Sequence, residues 1–278
     1  MLTYKEYYEK CRLGWSEPKV NLYEFSVDEI DPQNNKSMLV SLSKKYLNSI
    51  QVVAAELNRR FEKPEDCWFP RPIEKDVAIR IKNVWNIPEV ENVCAEIIPQ
   101  IEKNLFGCSA LVCGAYAYRS LKNVKPMSSW IWHVDDHPKE ITKVMFYLTD
   151  VSLEAGPFEY IKYKENNNAV SITPNRIDHT RWGRKHPRIS EQEIEKITQE
   201  QNAERHKVIG SLGKITIFDN NIIHRANIPT KHHRDVIVLM LKPWHEPVRP
   251  YLGEQHTGTN YHKDIYMDPE HIGAEKRI

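Results

Sequence analysis

The chain has 278 residues, 40% of them apolar and 28% charged, the make-up of an ordinary globular protein of one large domain or one domain with extensions. A formal net charge of +1 provides no general field for holding nucleic acid or an anionic membrane. No apolar run approaches the roughly eighteen residues that would span a bilayer.

The N-terminal stretch MLTYKEYYEKCRLGW lacks an apolar signal segment. Cys11, Cys67, Cys94, Cys108 and Cys113 are odd in number and show no C-x-x-C spacing, which fits free thiols in a reduced, cytoplasmic compartment. Residues 37–63 predict a helix, with Leu47, Ile50, Val53, Ala54 and Leu57 at recurring apolar positions. Residues 86–107 predict a second. Val90, Val93, Cys94, Ile97, Ile98, Ile101 and Leu105 form its stripe, Pro88 sits near its start and Gly107 near its stop. Pro99 falls inside the pattern and predicts a kink or a break. A proline-rich loop, CWFPRP, lies between the two at 67–72. Both helices are expected to brace a sheet from outside.

After 108 the texture changes. Residues 110–120, 128–135, 143–151, 158–163, 214–219 and 234–243 are rich in Val, Ile and aromatics and bounded by Gly, Pro, Asp and Asn, which predicts short strands. Strands do not alternate with helices, so an antiparallel sandwich or barrel is expected. Residues 164–187 carry asparagines and a basic run. Residues 188–208 read as a polar helix, with Ser190 and Glu193 at capping-box spacing. The reading is one domain over 1–278: a helical bracing region about 1–107, a β core about 108–243 with an insertion about 164–208, and an irregular tail 244–278.

The stretch SSWIWHVDD, 128–136, concentrates the chemistry. On a strand, His133 and Asp135 share a face at a Cα separation of about 6 to 7 Å, close enough to meet at one metal ion. His224, after a predicted strand and before the turn at Pro229, is the best third ligand. Two histidines and a carboxylate with open positions are the ligand set of non-haem Fe(II) oxygenases. H-x-D alone has little specificity, and a polar pair at an exposed strand end is the bland alternative. Asp136 substitutes for Asp135 if the strand ends early, and His232 and His233 compete with His224. Oxygenases of this type hold the far carboxylate of 2-oxoglutarate with an arginine, whose planar fork suits a two-point contact. If the strands flanking RANIPTKHH pair with each other, Arg234 returns to the pocket. Tyr118, with Tyr116 and Arg119, either lines that pocket or packs in the core. Lys143 and Thr149 share a face with Met145 and Tyr147 and are candidates to reach the co-substrate. Trp130 and Trp132 point away from His133 and are expected against the flanking helices. The run 175–188 is either a solvated basic loop or a lid. As a lid, Arg181 and Arg184 would grip an anionic substrate and Trp182 would stack on it.

WHVDD, KVMFYLTDVSLEAGPFEYI, GSLGKITIFDNNIIHRAN and Arg234 together resemble the phytanoyl-CoA dioxygenase-like family of Fe(II)/2-oxoglutarate oxygenases. The resemblance covers roughly 110–243 and is patchwork over 164–208. It implies a double-stranded β-helix, the cupin-like jelly roll, with flanking helices. It also implies Fe(II) on His133, Asp135 and His224, with Arg234 clamping 2-oxoglutarate. The implied reaction uses O2 to hydroxylate a C–H bond and releases succinate and CO2. The expected substrate is a small polar or anionic molecule, with neither a membrane nor nucleic acid as partner. Oligomeric state is not readable from these residues. Where many family members carry a Pro-Gly-Ser-His segment this chain has EYIKYKENNN, so substrate contacts do not transfer. Related halogenases lack the carboxylate that Asp135 provides. The competing readings are a cupin-like metal-dependent isomerase or epimerase and a non-catalytic metal- or ligand-binding barrel.

Overall fold

A computed structural model describes residues 22–25, 44–68, 77–81, 84–122, 124–135, 141–166, 168–171, 188–219, 221–244 and 246–252. Helix α1, Lys44–Phe61, turns Tyr46, Ile50, Val53, Leu57 and Phe61 onto one face, as 3.6-residue periodicity requires. Helix α2, Pro88–Ile101, has its proline in the first turn and buries every residue of the expected stripe. It is not broken at Pro99. The proline removes one backbone donor, and the ladder resumes at Glu102, whose N–H reaches the carbonyls of Ile98 and Pro99. The helix then widens into a π turn, Glu102–Phe106, and stops at Gly107 with φ 68°.

Ten strands make two antiparallel sheets among the described residues. They are β1 (Leu22–Phe25), β2 (Cys67–Trp68), β3 (Ala78–Ile81), β4 (Ser109–Ser120), β5 (Thr142–Tyr147), β6 (Phe158–Tyr163), β7 (Ala203–Val208), β8 (Ile215–Asp219), β9 (His224–Ala226) and β10 (Arg234–Trp244). The larger sheet runs β1-β8-β5-β10-β4-β3-β2 and the smaller β7-β6-β9. Alternation sorts the larger sheet's side chains. Val144, Phe146, Ile215, Ile217, Ile237, Leu239 and Leu241 pack under α1 and α2. Met145, Tyr147, Phe218, Val236 and Val238 face the smaller sheet, meeting Phe158 and Tyr160. Helix α3, Glu191–Glu200, covers the smaller sheet's outer face through Ile194. No helix among the described residues is long and apolar enough to cross a membrane.

Four expectations change. The first third contributes three strands as well as helices, because β1, β2 and β3 extend the larger sheet. The segment 143–151 is a strand only to Tyr147. The helix expected over 188–208 ends at Glu200, and a turn through Asn202, φ 47°, leads into β7. That edge strand keeps polar residues toward solvent, so its sequence lacks apolar alternation. The stretch 128–135 is not a regular strand. Ser128, φ 49°, opens a 3-10 turn to Trp130, and only His133 then pairs, with His224 on one side and Arg188 on the other.

Candidate metal centre

His133 and His224 are paired through their backbones, each N–H donating to the other's carbonyl at 3.0 Å. Such a pair puts both side chains on one side, and the ring centroids stand 4.3 Å apart. That side is the space between the sheets, because His224 continues the inward face shared with Phe158 and Tyr160. Nδ1 of His133 lies 2.8 Å from the Ile131 carbonyl and Nδ1 of His224 2.9 Å from the Ile222 carbonyl. A carbonyl only accepts, so each Nδ1 carries the proton. Both Nε2 lone pairs are then turned toward the shared space, the orientation a metal ligand needs.

Asp135 closes the cluster. Its Oδ1 is 3.7 Å from His133 Nε2 and its Oδ2 is 3.3 Å from His224 Nε2. One ligand atom from each residue falls within 4.8 Å of the others. Lys143 Nζ donates to Asp135 Oδ2 at 2.5 Å. The rings of Phe158 and Phe218 stand 5.3 and 5.5 Å from His224 and wall the site with apolar surface. Burial, reinforced by His224, holds His133 well below its ordinary pKa, so the imidazole is neutral. Burial raises the Asp135 carboxyl, but the charge of the Lys143 ammonium beside it works the other way and prevails. The group is held well below the usual carboxylate range and is ionised. A neutral His133 imidazole and an ionised Asp135 carboxylate are protonation states that bind a divalent ion.

Arg234 reaches the same inter-sheet space by a route that differs from the expected one. β9 and β10 do not pair, since β9 belongs to the smaller sheet and β10 to the larger. Arg234 opens β10 opposite Ser120, on the inward face with Val236 and Val238. It is fully buried. Its Nη2 donates to Ser120 Oγ at 3.3 Å, and the guanidinium lies 6.0 Å from the Tyr118 ring. Nε and Nη1 meet no partner among the described residues. An unfilled buried donor costs about 1–3 kcal/mol, and more when charged. Open donors on a buried cation call for an anionic acceptor such as a carboxylate. The donor set therefore fits a divalent metal beside a dicarboxylate.

The other candidates separate. Tyr118 stacks on Tyr116 and meets Trp130 edge-on, both at about 6 Å. Thr149 lies past the end of β5 and accepts from the Asp235 N–H at 3.3 Å, next to Arg234. Arg119 faces away from the pocket and grips Asp235 with two bonds at 2.9 and 2.8 Å. It also bonds Glu62 and Asn58 and so pins α1 to the sheet. Trp132 packs outward against α3, donating to Glu191 at 3.2 Å beneath Arg225. Trp130 does not join it. The 3-10 turn resets the alternation and sends Trp130 inward, beside Ala78, Ala226 and Tyr118, with Nε1 unpartnered among the described residues. His232 and His233 stay in the turn before β10, and His233 lies 3.6 Å from Asp235. Arg181, Trp182, Arg184 and Asp136 lie outside the described residues. Sequence reasoning missed Ser120, Phe158 and Phe218. Their only signal was inward phase on strands that the site uses.

No protein-family model matches the chain, and no curated protein matches it. Solved structures do. EctD from S. alaskensis with bound Fe aligns at a TM-score of 0.52 and 13% identity, over 82% of this chain and 82% of that one. The same protein with 2-oxoglutarate and 5-hydroxyectoine aligns at 0.50 and 13%, over 88% and 82%. This chain shares the fold of those structures. HygX from Streptomyces hygroscopicus, with nickel, 2-oxoglutarate and hygromycin B, is more distant at 0.48 and 11%, over 81% and 83%.

Proposed function

We propose that this chain is a non-haem Fe(II)- and 2-oxoglutarate-dependent dioxygenase that hydroxylates a C–H bond of a small polar or anionic metabolite. The observation that carries the reading is Arg234: a buried guanidinium with two open donors, in the same inter-sheet space as a His-Asp-His cluster. A cupin-like isomerase or an idle barrel needs no co-substrate arginine beside its metal. His133 Nε2, His224 Nε2 and an Asp135 oxygen would hold Fe(II), and Arg234 with Ser120 would hold the far carboxylate of 2-oxoglutarate. When bound, iron and the oxoacid couple O2 reduction to decarboxylation, yielding succinate, CO2 and the oxidant that hydroxylates substrate. The chain's own share is orientation and dryness. The two backbone carbonyls lock the imidazoles, Asp135 supplies the compensating negative charge, and Phe158 and Phe218 keep water from one wall. The polar or anionic substrate class is supported by the basic run 175–188, whose last residue, Arg188, pairs through its backbone with His133.

Anaerobic titration with Fe(II) and 2-oxoglutarate, read at the weak visible band of the chelate, tests the cofactor half. Wild type is expected to give a band that needs both components, that disappears in His224→Ala and that weakens in Arg234→Ala. Iron binding with no chelate band in wild type removes the dioxygenase reading.

A further inference from the structure

We propose that Lys143 is a positioning residue that makes tight metal binding at this centre conditional on the oxoacid. The inference rests on the Fe(II)/2-oxoglutarate reading and adds a specific role for one side chain. Lys143 sits on the inward face of β5, between Met240 of β10 and Phe218 of β8. Its side chain is buried, and its ammonium is held against Oδ2 of Asp135. Two consequences follow from that contact.

The first is geometric. A donor on Oδ2 leaves Oδ1, the oxygen nearer His133, as the natural ligand atom. The carboxylate is thereby set up to bind a metal through one oxygen. Capture through both would compete with Lys143 for the electron density of Oδ2. One-oxygen binding keeps a coordination position open for the co-substrate.

The second is electrostatic. Among the described residues the inter-sheet space holds the Asp135 carboxylate and two buried cations, Lys143 against it and Arg234 beyond. The nearby acids do not redress this. Glu24 is engaged with Lys214 and His206, Glu159 with Arg225, and Asp235 with Arg119. A divalent ion entering alone adds two more positive charges to an apolar, poorly screened space, where charge interactions are several-fold stronger than in water. A dicarboxylate dianion takes those two charges away again. Metal and oxoacid therefore favour each other, and linkage makes the effect equal in both directions. Lys143 contributes to the coupling as the cation nearest the metal position.

Isothermal titration of Mn(II) into wild type, Lys143→Met and Lys143→Gln, each with and without saturating 2-oxoglutarate, tests this. Thermal unfolding confirms that the variants are folded. In wild type, 2-oxoglutarate is expected to lower the Mn(II) Kd by roughly tenfold or more, within the usual span of coupling. Both variants are expected to bind Mn(II) alone several-fold more tightly than wild type, and to show a much smaller gain from 2-oxoglutarate. An undiminished gain in both variants overturns the role of Lys143 and leaves the cofactor reading standing. Weaker Mn(II) binding by the variants without oxoacid also overturns it, because Lys143 is then only a support for Asp135. Mn(II) binding that no protein form couples to 2-oxoglutarate overturns this role and the cofactor reading together.

Discussion

Arg234 and His133 show how single residues carry this site at a cost to the protein that holds them. A buried cation with two open donors is costly to the fold unless a ligand fills them. Arg234→Met should therefore melt no lower than wild type without ligands, since a side chain of similar length removes an uncompensated charge. The same variant should lose the rise in Tm that Mn(II) with 2-oxoglutarate gives wild type. A marked drop in the ligand-free Tm would show that the guanidinium is satisfied by the fold itself. His133 acts through pH. Burial depresses its folded-state pKa, so the unfolded chain takes up the proton first as pH falls through the ordinary histidine value of about 6.5. Stability from keeping it neutral is complete above that value and is lost below it, by up to about 1.4 kcal/mol per pH unit until the folded state also protonates. Metal-free wild type should lose stability between pH 6.5 and 5 faster than His133→Asn in denaturant melts. Equal slopes would contradict the burial argument.

At the scale of elements, the site depends on short, irregular connections more than on long strands. β9 has three residues, yet it is held by β6 on one side and by His133 on the other. The turn before β6 presses on the turn after β9. At Gly156, φ 71°, an added Cβ would meet the Asn227 carbonyl at 2.5 Å and the Pro229 nitrogen at 2.6 Å, both backbone atoms that cannot swing aside. Asn227 also bonds twice to the Pro157 carbonyl. Gly156→Ala should cost more than about 1 kcal/mol and should weaken Mn(II) binding, because the displaced turn carries His224 with it. Unchanged melting and metal affinity would show that the two turns part freely. The insertion is also tied in. The expected capping box forms between Ser190 and Glu193, and the Ile189 N–H donates to the Trp132 carbonyl at 2.9 Å, one residue from His133.

For the whole molecule, the two sheets divide the labour. The face of the larger sheet under α1 and α2 holds an apolar core, and the other face meets the smaller sheet around the charged cluster. Much of this was legible in the chain. The α2 stripe, the capping box and the strands at 110–120, 158–163, 214–219 and 234–243 carry local periodicity, because each face is dry or wet on its own account. His133, Asp135 and His224 were legible as ligand types, and alternation correctly put Trp132 opposite His133. Local pattern failed where a non-local contact decides the backbone. Trp130 turns inward because a 3-10 turn interrupts the period, and β7 hides its strand behind polar residues on an exposed edge. Alternation says which side chains share a face, but not which strand lies opposite. Tertiary structure alone set His133 against His224, brought Arg234 in from the other sheet, and gave Asp135 to Lys143. The first two join residues far apart in the chain and the third closes over eight residues, and the energy of all three comes from burial and hydrogen bonds that exist only once the fold is assembled.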